Sequence, residues 1–151
     1  INIHSTLQEV ITDLHEPIVS HEITVKNGVD PKISIEGNKT LIYAIFRNLI
    51  ENSINYAGEN IMIGISNYTE DNEFYYFSYY DTGRGIDENH LNRIFERFYR
   101  VCEGRSRQSG GSGLGLSIVK NAVLFHKGDI SAKNRKDGGL EFLFSLKKTL
   151  F

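Results

Sequence analysis

Asn48-Leu49-Ile50-Glu51-Asn52-Ser53-Ile54-Asn55-Tyr56-Ala57 is the stretch that decides how this chain is read. It ends a longer apolar pattern, Leu41, Ile42, Ile45, Phe46, Leu49 and Ile50, whose members recur at helical spacing. Asn38 can cap that helix and Gly58 can close it. At about 100° per residue, Asn48, Asn52 and Asn55 fall within roughly 60° of one another. They lie beside the apolar face, not opposite it. A packed core has no use for a row of carboxamides at that boundary.

Upstream, Ile1 to His4 reads as a short edge strand. Ser5 then caps a helix running to about Val19, with Leu7, Val10, Ile11 and Leu14 at helical spacing. Ile23-Thr24-Val25 and Ile33-Ser34-Ile35-Glu36 alternate like strands, punctuated by Asn27-Gly28 and Asp30-Pro31. Downstream, Ile61 to Ser66 and Phe74 to Tyr80 read as two long strands joined by a polar turn. Asp87 caps a short helix through Phe95. Arg97 to Gly111 has no apolar periodicity and reads as a mobile loop. Leu114 to Phe125 reads as a helix with Gly128 just past its end. Ile130 to Ala132 and Leu140 to Ser145 form a hairpin around Asp137-Gly138-Gly139. The economical α/β arrangement is a two-layer sandwich, a mixed β-sheet with helices packed on one face.

The chain has 151 residues, which suits one domain with a real core. It begins at Ile1 and reads as a piece of a longer protein. Its formal net charge of −2 makes no general case for nucleic acid. Cys102 is the only cysteine, so no internal disulfide or multi-cysteine metal site can form. That suits a reducing, cytoplasmic compartment. No apolar run is long enough to span a membrane and no signal peptide is recognisable, so any membrane attachment lies in a missing upstream region.

Three further segments carry chemistry. An amide oxygen, as on Asn48 and Asn52, is a neutral hard ligand suited to Mg²⁺, an ion that keeps waters and shares substrate phosphates. Asp81-Thr82-Gly83-Arg84-Gly85-Ile86 follows a strand directly, and alternation puts Asp81 on the face of Phe77 and Tyr79. A carboxylate at the end of such a strand can accept a hydrogen bond from an adenine amine. Gly83 and Gly85 let the backbone approach a flat ring. Gly110-Gly111-Ser112-Gly113-Leu114-Gly115-Leu116 opens a helix, where bare amides attract phosphate. Its spacing fits neither the P-loop nor the dinucleotide fingerprint. Between these, Phe95-Glu96-Arg97-Phe98-Tyr99-Arg100 leads into a basic loop. Glu96 to Arg107 holds four arginines and two glutamates, and Arg100, Arg105 and Arg107 could meet phosphates. Phe95 and Phe98 read as packing residues that anchor the loop.

Taken together, these segments resemble the ATP-binding catalytic domain of sensor histidine kinases, in the Bergerat-fold ATPase superfamily with gyrase. Four boxes occur in the family's order: an N box from Asn48 to Tyr56, a glycine box from Asp81 to Ile86, an F box from Phe95 to Arg100 and a second glycine box from Gly111 to Gly115. The resemblance implies the following roles. Asn52, helped by Asn48, coordinates Mg²⁺ on the phosphates. Tyr56 packs on the nucleotide and Asp81 reads the adenine amine. Gly83, Gly85 and Ile86 border the base. Gly111, Gly113, Leu114 and Gly115 bind phosphate, and Arg100 contacts the terminal phosphate. The loop from Val101 to Gly111 is the ATP lid. Position 55, usually basic in these kinases, is Asn55 here, which weakens the expected grip on phosphate unless Arg100 or a lid arginine substitutes.

The resemblance also bears on reaction type. The gyrase branch carries a water-activating glutamate one turn before the metal asparagine, where this chain has Asn48. Transfer to a neutral imidazole needs no such base, and Glu51 is expected to orient or polarise the incoming histidine. The acceptor is not in the chain. Ser20-His21-Glu22 is followed by the strand-like Ile23-Thr24-Val25, not by the family's Leu-Arg-Thr-Pro. The implied partners are a dimerisation and histidine-phosphoacceptor domain of the same full-length protein and a response-regulator receiver. The alternatives are a serine kinase of the anti-sigma-factor type and a nucleotide-binding module without transfer activity.

Overall fold

The computed structural model describes residues 1–99 and 113–150. Five strands form one mixed sheet: β1 (Thr24–Gly28), β2 (Met62–Glu70), β3 (Phe74–Asp81), β4 (Ile130–Asn134) and β5 (Leu140–Lys147), in the order β1-β2-β3-β5-β4. Only β1 and β2 are parallel. A parallel pair needs a crossover. The long helix α3 (Lys39–Tyr56) supplies it. Helices α1 (Ile3–Asp13), α2 (His15–Ser20) and α4 (Gly115–Phe125) complete the second layer. The expected two-layer α/β sandwich, helices on one face of a mixed sheet, is the observed architecture.

Alternation in the central strands builds the core. Ile63, Ile65, Phe77, Tyr79, Phe142 and Phe144 are buried on the helix-facing side. The Phe46 ring of α3 meets Phe144 edge-on at 6.2 Å, seating α3 on the sheet. On either side α3 packs against α1 and α4. Its start is as read: the Asn38 side chain accepts from the Leu41 amide at 3.0 Å. Its end is too, with Gly58 beyond the last turn at φ +111°. His126, the residue after α4, is fully buried and locks the layer together. Its Nε2 accepts from the Asn38 amide at 3.1 Å, so Nδ1 carries the proton and donates to the Ala122 carbonyl at 2.8 Å.

Several local expectations are corrected. Ile1 to His4 is not a strand, and Ser5 is not a cap. Asn2 caps α1, accepting from the Ser5 amide at 2.8 Å, and its only bridge is to Ser34. The apolar stripe in fact begins at Ile3 and continues through Leu7, Val10, Leu14 and Ile18, all buried. The helix also does not run unbroken to Val19. Pro17 has no amide hydrogen for the Asp13 carbonyl four residues back, and the chain kinks at Leu14. Ile33 to Glu36 alternates in burial but makes no ladder; it is an extended tie between Ile1 and Lys148. Asn27 and Gly28 close β1 rather than interrupt it. After Asp87 only one 3-10 turn forms, Glu88–His90, followed by further turns. Beyond α4 the left-handed position falls on Lys127 at φ +63°. Gly128 is small for another reason: a Cβ there would lie 1.7 Å from the Ser145 carbonyl oxygen.

Candidate functional site

The site starts on the C-terminal half of α3. Asn48, Glu51, Asn52, Asn55 and Tyr56 are all half-buried, while Leu49, Ile50, Ser53 and Ile54 are buried in the core. The carboxamides thus line the boundary between core and solvent. Asn48 spends its nitrogen on its own helix, Nδ2 donating to the Ala44 carbonyl at 2.8 Å. Its oxygen faces the first residue of α4, where a Cβ on Gly115 would lie 3.2 Å from Asn48 Oδ1. The second glycine segment therefore meets the N box directly. Leu114 occupies the cap position of α4 without a side-chain cap bond, and Gly113 before it has φ +79°.

Asp81 ends β3 inside the core, 2 % exposed. Its Oδ1 accepts from the Gly83 amide at 3.0 Å and from the Leu140 amide at 3.2 Å. Its Oδ2 accepts from the Ser53 hydroxyl at 2.9 Å. A carboxylate offers about four lone-pair positions. Among the described residues the protein fills three, and the fourth is on Oδ2. Ser53 in turn touches the Tyr79 hydroxyl at 2.7 Å, and that hydroxyl donates to the Leu49 carbonyl at 3.0 Å. Burial pushes the Tyr79 phenol well above its usual range, so it stays a proton donor.

The turn after Asp81 is pressed onto α3. A Cβ on Gly83 would sit 2.5 Å from both the Cβ and the carbonyl oxygen of Ala57, and the Arg84 amide donates to that same carbonyl at 3.2 Å. On the other side the β4–β5 turn closes in. Gly139, at φ +97°, approaches so near that a Cβ would be 1.9 Å from the Asp81 carbonyl oxygen. Asn134 holds Ile86 at both backbone atoms, accepting from its amide at 3.0 Å and donating to its carbonyl at 2.5 Å. Ser53, Tyr79, Asn134 and Gly139 were not singled out from the sequence. The nearest signal was Ser53, a polar residue amid apolar positions of the helix.

Glu51 lies apart from this cluster. Its carboxylate meets Arg47 Nε at 3.4 Å, Arg47 donates to the Tyr43 hydroxyl at 2.9 Å, and that hydroxyl donates to Asp13 at 2.5 Å. The Asp13 bond is the main cause that raises the Tyr43 phenol above its usual value. In the F box, Phe95 packs edge-on against Phe142 at 6.0 Å, as expected of an anchor. Phe98 does not: it is 64 % exposed, with φ +64° and its amide donating to the Gly113 carbonyl at 2.6 Å. That bond ties the F box to the start of α4. Arg100, Cys102, Arg105, Arg107 and Gly111, with the rest of the expected lid, lie outside the described residues.

Residues 37–150 match the family described as histidine kinase-, DNA gyrase B-, and HSP90-like ATPase. The chain belongs to this family. Among its curated relatives, it is 35 % identical over 127 residues to the sensor histidine kinase WalK of Bacillus subtilis (strain 168), covering 83 % of this chain and 21 % of WalK. It is 33 % identical over 131 residues to the signal transduction histidine-protein kinase BaeS of Escherichia coli (strain K12), covering 87 % of this chain and 28 % of BaeS. The catalytic domain of the histidine kinase ThkA superposes with a TM-score of 0.84 at 28 % identity, covering 99 % of this chain and 94 % of that one. ThkA in complex with the response regulator protein TrrA superposes with a TM-score of 0.77 at 27 % identity, covering 99 % of this chain and 41 % of that one. This is the histidine-kinase form of the ATP-binding catalytic domain. The chain spans about a quarter of the length of these curated relatives. Among the described residues, no helix is long and apolar enough to cross a membrane.

Proposed function

We propose that this domain binds Mg-ATP among α3, the turn after β3 and the start of α4. In the intact protein it would transfer the γ-phosphoryl group to a histidine of an adjoining dimerisation domain, on the cytoplasmic side of a sensor. The phosphoryl group would then pass to an aspartate of a response-regulator receiver. The observation that carries the reading is Asp81. Among the described residues it is a buried carboxylate with three lone pairs committed to the protein and one, on Oδ2, left for a donor. An adenine amino group supplies that donor, and the 6-oxo group of guanine does not.

The other parts take their roles around this anchor. Gly83, Gly85 and Ile86 border the base, with Asn134 fixing Ile86. Tyr56 packs on the nucleotide, and Asn55 stands where a basic residue would meet phosphate. Amides at Gly113, Leu114 and Gly115 face phosphate at the head of α4. Arg100 and Gly111 belong to the same phosphate group of contacts by their place in the boxes. Asn48 and Asn52 suit Mg²⁺: with Nδ2 of Asn48 committed to α3, the atom it presents toward α4 is a neutral oxygen. Among the described residues no cluster of three or more His, Cys, Asp or Glu competes for that role. The ion, when bound, supplies charge neutralisation on the phosphates. Glu51 orients the incoming histidine once it turns from Arg47. The ThkA–TrrA complex supports the receiver as partner.

The test mixes the chain with γ-labelled Mg-ATP and a supplied helical histidine domain. Acid-labile label on that domain is the expected result, lost with Asn52→Ala. Acid-stable label would instead identify a serine kinase. Tight ATP binding with no transfer to any such domain would leave only a nucleotide-binding module.

A further inference from the structure

Ser53 and Tyr79 lie behind Asp81, have no route to solvent, and carry hydroxyls that a core of this size does not need. Ser53 is 1 % exposed and Tyr79 0 %. Phenylalanine at 79 would fill the same space. Their contacts form one short chain: Leu49 O to Tyr79 Oη at 3.0 Å, Tyr79 Oη to Ser53 Oγ at 2.7 Å, Ser53 Oγ to Asp81 Oδ2 at 2.9 Å.

The hydroxyl hydrogens have alternatives. A serine inside a helix ordinarily turns its hydroxyl back to the carbonyl four residues earlier. For Ser53 that carbonyl is Leu49, and Tyr79 already sits on it. Tyr79 thereby denies Ser53 its local acceptor. The Ser53 hydrogen is left with the carboxylate, where the bond is charge-assisted and stronger. Oδ1 is pinned by two backbone amides, from Gly83 and Leu140. With Oδ2 pinned from behind as well, the carboxylate cannot rotate. Its one remaining lone pair then has a fixed direction.

Resting on the adenine reading given above, we propose that Tyr79 and Ser53 are positioning residues for purine selection: they aim the last lone pair of Asp81 at the exocyclic amine, and so set the preference for a 6-amino purine. Neither touches the nucleotide. Their effect passes entirely through Asp81. A purine without the 6-amino group makes no bond to that lone pair and is indifferent to where it points.

The experiment measures dissociation constants of the chain for ATP and for purine riboside 5′-triphosphate, which lacks only the 6-amino group. Both are titrated with magnesium, in the wild type, Tyr79→Phe and Ser53→Ala. Tyr79→Phe keeps the ring and its contact with Phe142. Ser53→Ala is the second variant should the first fail to fold. The expected result is a loss of about three- to tenfold in ATP affinity, the size of one net hydrogen bond, with affinity for the analogue unchanged. Equal losses for both ligands would mean a general packing defect and overturn the proposal. An unchanged ratio in either folded variant would overturn it too. A wild type with no preference for ATP over the analogue would remove the adenine reading itself, a failure visible before any variant is made.

Discussion

Replacing Asp81 by asparagine should separate nucleotide binding from folding, and the hydrogen-bond geometry says why. In the wild type, three contacts link Leu49 O, Tyr79 Oη, Ser53 Oγ and Asp81 Oδ2, but the two hydroxyls bring only two hydrogens. The amide nitrogen of Asn would supply the third. Its N–H donates to Ser53, Ser53 to Tyr79, and Tyr79 to the Leu49 carbonyl. The amide oxygen keeps the Gly83 and Leu140 amides. Those two bonds lose their charge assistance, but the fold no longer holds a buried charge, and these effects oppose each other. Stability is therefore expected to stay within about 1 kcal/mol, or about 2–4 °C in midpoint for a domain of this size. Binding is different. The lone pair facing the adenine amine becomes an N–H, so a charge-assisted bond worth about 1.5–3 kcal/mol is lost. That is about ten- to 150-fold in affinity. Calorimetric titration with Mg-ATP measures the affinity, and thermal unfolding of the same sample measures the fold. Unchanged affinity would refute the adenine assignment. A midpoint falling by more than about 10 °C, a loss of roughly 2.5–5 kcal/mol or more, would show that the carboxylate is chiefly a structural tie.

Three other perturbations have definite outcomes. Asn55→Lys restores a positive charge beside the phosphates and should tighten ATP binding about fivefold, the value of ~1 kcal/mol for charges about 4 Å apart in water-like surroundings, with the gain shrinking as salt is added; a salt-independent affinity would refute it. Lys127→Gly should raise the unfolding midpoint by about 1–4 °C, because it relieves a left-handed side-chain position at φ +63° and gives back only part of that in unfolded-chain entropy. Asp71 is held below the usual carboxylate range chiefly by the Tyr76 hydroxyl, then by the Phe74 and Glu73 amides. Its contribution is thus present above the unfolded carboxylate value and lost as pH falls through the lower folded one. Urea unfolding of Asp71→Asn should differ from wild type near neutrality and converge with it below about pH 4.

How legible the fold was depended on whether a signal was local. The α3 helix could be read whole because its cap, stripe and closing glycine all lie within Asn38 to Gly58. The start of α1 could not. Ile1-Asn2-Ile3-His4 alternates over four residues, too few to tell a strand from the first turn of a helix. Only the continued spacing of Ile3, Leu7, Val10, Leu14 and Ile18 resolves it. The stretch from Ile33 to Ile35 shows the same limit: its alternation is real, but strandhood needs a partner, and the sheet order puts none beside it. At the site, Asn48, Asp81 and Gly115 were legible because their chemistry is unusual where they stand. Asn134 and Gly139 were not, because what makes them matter is a partner 48 or 58 residues away.

The same geometry bears on why such a domain would hold ATP rather than spend it on water. Attack by water needs a base beside the phosphates, and on the proposed placement of ATP two positions on α3 are candidates to supply one. At the first, Asn48 has its nitrogen tied to Ala44 and offers only a carbonyl oxygen, which takes no proton at neutral pH. At the second, Glu51 is engaged by Arg47, and Arg47 is held in turn through Tyr43 to Asp13 on a different helix. Freeing Glu51 means breaking a half-exposed ion pair, a cost of about 1 kcal/mol or less. So the restraint on Glu51 is weak enough for a docking imidazole to displace. A neutral imidazole already carries a nucleophilic lone pair and asks only for position. On the reading proposed here, an amide at 48 and a tethered acid at 51 favour the phosphoryl acceptor that arrives ordered over the one that is always present.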